Sequence, residues 1–95
     1  MKAVFKYRLF PGVTEIVAGL TALPLTVQTQ NDEPHIWMLF DPLEATTIKR
    51  FRIYGTGHSI SEPDRMRYVG TCQQSSGLVW HVFADSTDSG GDERG

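Results

Sequence analysis

Hydrophobic and polar residues alternate along most of the chain with a period of two. In VFKYRLF the apolar side chains fall on one side and Lys6 and Arg8 on the other, and KRFRIY repeats this arrangement with Arg50 and Arg52. Such alternation is typical of a strand with one buried face. The pattern, together with runs that are apolar on both faces, predicts six short strands: VFKYRLF, PLTVQTQ, HIWMLF, KRFRIY, RMRYVGTCQ and GLVWHVFA.

Turn-forming residues separate these segments. Asn31-Asp32 lies between the second and third strands, and Ser75-Ser76-Gly77 lies between the last two. Asn, Asp and Gly tolerate the positive φ angles of tight hairpin turns. We therefore predict two hairpins within a small, mostly antiparallel sheet of five or six strands, arranged as a sandwich or a partly open barrel.

The segment PGVTEIVAGLTAL is the one candidate for a helix. Thr14 could cap a short helix and Gly19 could end it, and four apolar residues between them or beside them have helical spacing. Val and Ile are weak helix formers, however. The sequence does not decide whether a short helix forms near residues 13–20.

The length of 95 residues allows one small domain with one core. Residues 86–95 contain no apolar side chain, so we predict a β-rich domain over residues 1–85 followed by a disordered acidic tail. Outside the last eleven residues, eight Lys or Arg oppose seven Asp or Glu. A body so close to neutral does not favour a strong polyanion binder.

Cysteine usage and the N-terminal segment bear on the compartment. Cys72 is the only cysteine, which excludes an intrachain disulfide and a four-cysteine zinc site. Lys6 and Arg8 interrupt the first apolar segment, so it lacks the apolar centre of a signal peptide. No apolar run approaches the ~20 residues of a membrane helix. These features predict a cytoplasmic protein without membrane contact.

The turn Gly55-Thr56-Gly57-His58 is the first candidate site. Consecutive N–H groups of a glycine turn can hold an anion, but the dinucleotide and phosphate-loop motifs need further residues that are absent here. The sequence favours a structural corner with a positive φ at Gly57 and a local hydrogen bond from Thr56 to the backbone. A small-ligand or nucleotide site is the alternative, and its candidate residues are Tyr54, Gly55, Thr56, Gly57, His58 and His81.

Two further expectations concern the core. RIYGTG and RYVGTC echo each other, which predicts that Gly55 and Gly70 are adjacent bends of neighbouring strands. Trp37 and Trp80 each lie in an apolar strand, and we expect both indoles in the core. Cys72 is expected to point into the core beside Tyr68.

Residue patterns of enzymes and metal sites are missing. Nucleophilic catalysis needs a Ser or Cys held by a base, and the chain contains no nucleophile elbow and no matched carboxylate pair. Three histidines and Asp41 lack the HxH or HxxxH spacing of many zinc sites. We therefore expect no enzymatic activity, no cofactor and no bound metal.

Basic residues occupy the polar phase of several strands, and Tyr54 shares that phase with Arg52. Basic sheets with aromatic residues bind single-stranded nucleic acid in oligonucleotide-binding folds. Charged strand faces also deter aggregation at sheet edges, and the near-neutral body favours that interpretation. The candidate basic face consists of Lys6, Arg8, Arg50, Arg52 and Arg67.

Several segments carry a resemblance to a known family, in order and at its spacing: KYRL, VQTQND, PHIWMLFDP, FRIYGTGH, YVGT and LVWHVFA. Together they resemble a family of small proteins encoded by tailed bacteriophages and prophages, over residues 3–84. The resemblance implies a phage origin and an accessory role, and it implies no reaction. Ser59 stands where the family usually has proline and Ala84 where it usually has an acidic residue, so no role carries over to these two positions.

These observations favour a binding role. Small sheet proteins with exposed edges and mixed charge suit protein–protein recognition, including addition of a strand to a sheet edge. We expect a non-enzymatic phage accessory protein that binds a host or phage macromolecule, with a protein as the favoured partner and inhibition of a host process as one form of that role. Two alternatives stay open: a small-ligand or nucleotide binder that uses the Gly55–His58 turn, and a structural or assembly component of the virion. Binding of nucleic acid is possible but not favoured, and the sequence does not indicate an oligomeric state.

Overall fold

A computed structural model describes residues 1–86, and within them the chain forms two antiparallel sheets. The three-stranded sheet has the order β1-β4-β3 and the four-stranded sheet the order β2-β5-β7-β6. The two sheets do not close into a barrel, and the predicted mostly-β, antiparallel fold is confirmed. The elements are β1 (Ala3–Arg8), β2 (Gly12–Gly19), β3 (Leu23–Gln30), β4 (Glu33–Phe40), β5 (Thr46–Gly55), a 3-10 turn (Pro63–Arg65), β6 (Met66–Gln73) and β7 (Val79–Asp85).

The possible helix near residues 13–20 is wrong, because this segment forms strand β2 and part of the turn after it. Burial along β2 has the period of a strand: Thr14, Ile16 and Ala18 are buried, and the residues between them are exposed. β2 pairs with β5 along its whole length. Its β-branched residues suit a pleated, half-buried surface, and the ladder with β5 outweighs the weak helical spacing.

Both predicted hairpins are present. Asn31 and Asp32 have φ angles of 53° and 63° and form the two-residue turn between β3 and β4. Gly77 has a φ of 95° in the turn between β6 and β7. The two turns also contact each other, because the Asp32 carboxylate accepts hydrogen bonds from the Ser75 N–H (2.6 Å) and hydroxyl (2.9 Å). Asp32 therefore joins the three-stranded sheet to the four-stranded one at this end.

The core lies between the two sheets and is built from the inward phases of the strands. Its residues are almost entirely apolar, and a second set packs partly buried against them. The largest fully buried side chains are Phe51, Leu9, Ile36, Met38 and Val82. Burial of each such side chain stabilises the fold by roughly 1.5–3 kcal/mol relative to exposure.

Gly70 marks the seam where β6 of one sheet approaches β3 of the other. A Cβ atom at Gly70 would lie 3.4 Å from the Cβ of Val27, so the absence of a side chain permits this close approach. The expectation that Gly55 and Gly70 are adjacent is wrong, because β7 lies between β5 and β6. The space above Gly55 is instead occupied by the ring of His58, as described below.

A bulge in β6 reverses the side of the sheet to which the side chains in the first half of the strand point. Tyr68 pairs with Phe83 and Gly70 with Val82, which leaves Val69 as the extra residue. Cys72 is buried as expected, whereas Tyr68 points outward and is 55% exposed. The prediction that the two side chains share the core is therefore wrong for Tyr68.

The two tryptophans have different environments. Trp80 packs against the core, and its Nε1–H donates to the Gln74 side chain at 2.9 Å. Trp37 lies on the outward phase of β4, between the buried residues Ile36 and Met38, and is only half-buried. Trp80 is thus partly buried against the core and not within it, and the expectation of a core indole is wrong for Trp37.

The described chain ends at Ser86, whose hydroxyl donates to the Arg65 carbonyl at 2.6 Å. Ser86 is the first residue of the predicted tail, and the rest of that tail lies outside the described residues. Within residues 1–86, no helix has the length and apolar character required to span a membrane.

Candidate protein-binding face

Three aromatic side chains line up across the outer face of the four-stranded sheet, and we call them the aromatic row: Tyr54 of β5, Phe83 of β7 and Tyr68 of β6. The Phe83 ring centroid lies 5.9 Å from that of Tyr54 and 5.3 Å from that of Tyr68. The ring planes meet at 73° and 71°, which is the favoured edge-to-face geometry. Each ring limits the rotation of its neighbour, so the row is held in place before any partner arrives.

Strand register explains why these three side chains meet. Tyr68 is directly opposite Phe83, and Tyr54 is opposite His81, one pair further along β7. Side chains that are directly or diagonally opposite on one face of a sheet lie within contact distance. The bulge at Val69 is essential to the row, because without the extra residue Tyr68 would face the core.

Further apolar side chains lie on the same outer face, between the aromatic row and the edge of the sheet at β2. Val13 and Val17 of β2 and Ile48 of β5 belong to the same outer face, since Val13 is opposite Arg52 and Val17 is opposite Ile48. All three are exposed. Arg52 and the Glu15–Arg50 pair lie among them, so the exposed apolar residues form patches between paired charges.

The arginines of this face are paired with acidic residues. Arg52 makes a bidentate contact with Asp85, with Nε–Oδ1 at 2.7 Å and Nη2–Oδ2 at 3.1 Å. This hydrogen bonding to Asp85 is the main cause that raises the pKa of Arg52 above its ordinary value. Arg50 Nε donates to the Glu15 carboxylate at 2.8 Å. The face therefore presents aromatic and aliphatic surface with compensated charge.

The five residues of the candidate basic face do not share one surface. Arg50 and Arg52 lie on the outer face of the four-stranded sheet, whereas Lys6 and Arg8 belong to β1 of the other sheet. Lys6 contacts Gln30, and Arg8 pairs with Glu33 at 2.8 Å. Arg67 is opposite Ala84 on the inward phase of β6, because the bulge reverses that half of the strand. It lines the depression at the seam with Leu23 and Pro24.

The turn Gly55–His58 is a closed corner. Gly57 has a φ of 89°, as predicted. The His58 N–H donates to the Gly55 carbonyl at 3.1 Å, and the Gly55 N–H donates to His58 Nδ1 at 3.2 Å. A Cβ atom at Gly55 would lie 2.9 Å from the His58 ring. The Gly55 N–H, which an anion would need as a donor, is thus already hydrogen-bonded to the His58 ring.

His81 connects this turn to the sheet. Its Nε2 lies 2.7 Å from the Thr56 hydroxyl, and its Nδ1 lies 3.4 Å from the Thr71 hydroxyl. The expected hydrogen bond from Thr56 to the loop backbone is wrong, because its hydroxyl contacts a side chain of β7 instead. Tyr54, Thr56 and His81 come together at this end of the face, and a ligand at these residues stays a prediction.

Groups with catalytic or metal-binding potential are few in the described part of the chain. No three His, Cys, Asp or Glu residues between 1 and 86 are placed to hold a metal ion. Cys72 is buried, and burial raises the pKa of its thiol. A protonated thiol is the less reactive form, so Cys72 suits a core position better than a catalytic one.

A depression of about 240 Å³ borders the Arg52–Asp85 pair. Its remaining lining residues come mostly from the segment around the 3-10 turn, where Glu62 has a φ of 53° and pairs with Arg65 at 3.0 Å. Two arginines and two acidic residues line it, so it favours neither sign of ligand. It extends the outer face with a polar rim.

Sequence reasoning missed Phe83 and Tyr68 as surface residues. Phe83 shares the phase of His81, which was considered a site residue, so its outward position could have been inferred from the alternation of β7. Tyr68 could not, because Gly70 indicates a bend in this strand but does not say which residue is extra, and the direction of the Tyr68 side chain depends on that.

Comparison with known proteins gives a family but no activity. A family model described as a domain of unknown function, DUF7352, matches residues 1–91. Searches of curated proteins and of solved structures found no match to the chain.

Proposed function

Because the chain belongs to the DUF7352 family of domains of unknown function, we propose its role from its own surface. It is a non-enzymatic, phage-encoded accessory protein that binds a host or phage protein in the bacterial cytoplasm. The aromatic row Tyr54–Phe83–Tyr68 is the centre of the binding surface. The row is the single observation that carries the proposal, and the family-like segments RIYGTGH and WHVF are the support for a phage origin.

The chemistry of the row suits a protein partner. Tyr, Phe and Arg are enriched at the centres of protein interfaces, and a few such residues supply most of the binding energy. Because edge-to-face contacts already restrain the three rings, little side-chain entropy remains to be lost on association. The exposed Val13, Val17 and Ile48 extend the contact area, and the polar depression beside Arg52 supplies a rim.

The charge arrangement favours a protein over a nucleic acid. Nucleic-acid affinity depends largely on cations that neutralise phosphates. On this face Arg52 and Arg50 already contact Asp85 and Glu15, so phosphates would have to compete with carboxylates for them. Inhibition of a host process is one form that such protein binding would take.

Affinity capture followed by a direct binding measurement tests the proposal. The wild-type protein is used to capture proteins from nuclease-treated bacterial lysate, beside a Tyr68→Ala variant and a matched Leu43→Ala control. Leu43 is 91% exposed in the loop between β4 and β5, so its loss leaves the aromatic row intact. We expect a protein that wild type and the control capture and that Tyr68→Ala does not.

The purified partner is then titrated by calorimetry. Loss of a central aromatic contact typically costs ~2 kcal/mol, so Tyr68→Ala should weaken the dissociation constant about 30-fold. Equal affinity of Tyr68→Ala and wild type would contradict the proposal. So would saturable binding of a nucleotide or a single-stranded oligonucleotide that the same variant abolishes without any protein partner.

A further inference from the structure

Sheet edges leave unpaired N–H and C=O groups that can pair with another strand, and natural proteins usually protect them. Within residues 1–86 the edge strands are β1, β3, β2 and β6. β1 carries Lys6 and Arg8 on its outward phase. β3 contains Pro24 and an irregular register beside it, and β6 contains the bulge at Val69. β3 and β6 also approach each other at the seam.

β2 is the least protected of the four edges, with Glu15 as its single charged residue. Its eight residues, GVTEIVAG, contain no lysine, arginine or proline. Its register with β5 is continuous from Gly12 opposite Ile53 to Gly19 opposite Thr46, so no bulge twists the edge away. Among the described residues it pairs with β5 alone. A long, regular and mostly apolar edge of this kind is suited to pairing with a further strand.

We propose that the occupant of this edge is a second copy of the chain, with the two β2 strands antiparallel about a two-fold axis. The two four-stranded sheets then form one continuous sheet of eight strands. The contact is isologous, so one interface removes the open β2 edge of both copies and leaves no new one. This inference concerns a different surface from the aromatic row and does not depend on it.

The charge of β2 favours a second copy. Glu15 is the only charged residue of the strand, and Arg50 contacts it at 2.8 Å within each copy. Two copies can therefore approach along this edge with little net charge, provided that their Glu15 carboxylates do not lie directly opposite each other. The exposed Val13 and Val17, at 48% and 63%, would gain apolar neighbours across the new pair.

The residues of β2 also select one register. A two-fold axis at Glu15 would set two carboxylates directly opposite, which is destabilising. An axis at Val17 would pair only residues 15–19. An axis at Ile16 pairs residues 13–19 and sets Glu15 opposite the partner's Val17, on the same face of the sheet. We therefore place the two-fold axis at Ile16.

This register gives a charge test at position 17. Val17→Glu places a glutamate opposite the partner's Glu15, and the two-fold symmetry makes this repulsion occur twice in each dimer. Val17→Lys places a lysine at the same position, and its attraction to the partner's Glu15 also occurs twice. Both variants replace the same exposed valine by a long charged residue of low strand propensity, so a difference between them reports the partner's charge. Val4→Glu, on the exposed phase of edge strand β1, is the matched control.

Sedimentation equilibrium over a range of protein concentrations measures the association. We expect wild type and Val4→Glu to form dimers of the same affinity. Val17→Glu should weaken the dimer about tenfold, and Val17→Lys should retain or strengthen it. Amide hydrogen exchange of wild type should show protection of residues 12–19 that increases with concentration.

Three results would overturn the inference. The first is a wild-type protein that stays monomeric at millimolar concentration. The second is a dimer whose affinity Val17→Glu and Val17→Lys change equally, and the third is a dimer in which the amide protection of β2 does not depend on concentration. Thermal melts of the two variants show whether each is folded. If Val17→Glu is unfolded, the response of Val17→Lys and the exchange data still decide.

Discussion

At the scale of single residues, Gly57 has a backbone conformation that other residues resist. Its φ of 89° is reached by glycine without cost, and no heavy atom lies within 4 Å of a hypothetical Cβ. Any loss on substitution therefore comes from the backbone and not from a clash. We expect Gly57→Ala to lower the free energy of unfolding by roughly 1 kcal/mol.

Urea denaturation measures this effect, and Gly57→Asn is the matched control, because asparagine tolerates positive φ better than alanine. The asparagine variant should recover part of the loss. Equal stability of Gly57→Ala and wild type would show that the turn is not strained by a side chain.

Glu44 is a second residue whose role can be tested, in this case through pH. Its carboxylate accepts hydrogen bonds from the Thr21 N–H (2.6 Å), the Thr21 hydroxyl and the Asp41 N–H (3.0 Å), and so joins the loops at one end of the fold. The hydrogen bond from the Thr21 N–H is the main cause that lowers the pKa of Glu44. The folded protein therefore binds this proton less readily than the unfolded chain does.

The sign of the pH effect follows from that difference. The stabilisation from Glu44 is present above the ordinary glutamate pKa of ~4.3 and is lost as the pH falls through the lower folded value. We expect melting temperatures measured between about pH 5 and pH 3 to fall less steeply for Glu44→Gln than for wild type. Parallel curves for the two proteins would contradict the assigned role.

At the scale of elements, strand β4 has two unlike faces. Met38 is fully buried between the sheets, whereas its neighbour Trp37 lies on the outward phase. We expect Met38→Ala to cost about 2–5 kcal/mol in the free energy of unfolding and Trp37→Ala about 1 kcal/mol. Chemical denaturation of the two variants compares them directly. A larger loss for Trp37→Ala would place the indole in the core after all.

The alternation of apolar and polar residues was enough to predict most strands and both hairpins, because period-two burial and turn chemistry are local properties. β2 was harder, since Val13, Ile16 and Val17 have helical spacing and do not share one strand face, and it is the ladder with β5 that makes the segment a strand. The outward direction of the Tyr68 side chain could not be predicted, because one extra residue at Val69 reverses it. The aromatic row depends on that reversal, so the candidate site could be predicted only in part.

At the scale of the whole molecule, the two sheets divide structure from recognition. Their inward faces form the core, and Asp32, Glu44 and the close approach at Gly70 hold the ends and one seam together. The outer face of the four-stranded sheet keeps three aromatic rings and several exposed aliphatic residues at the surface. Aromatic pairs across strands also stabilise a sheet, so it is the exposure of Tyr68 and of the aliphatic residues that leads us to propose this face for a partner.

The central claim is that the aromatic row, and not the Gly55–His58 turn, is the binding surface. The most direct test is amide chemical-shift mapping of the labelled protein during titration with the captured partner, and separately with phosphate and nucleotides. We predict that the partner shifts resonances of β5, β6 and β7 around Tyr54, Tyr68 and Phe83, and that the small anions produce no saturable change. Saturable shifts from phosphate or a nucleotide centred on residues 55–58, with the aromatic row unaffected by any protein, would contradict the account.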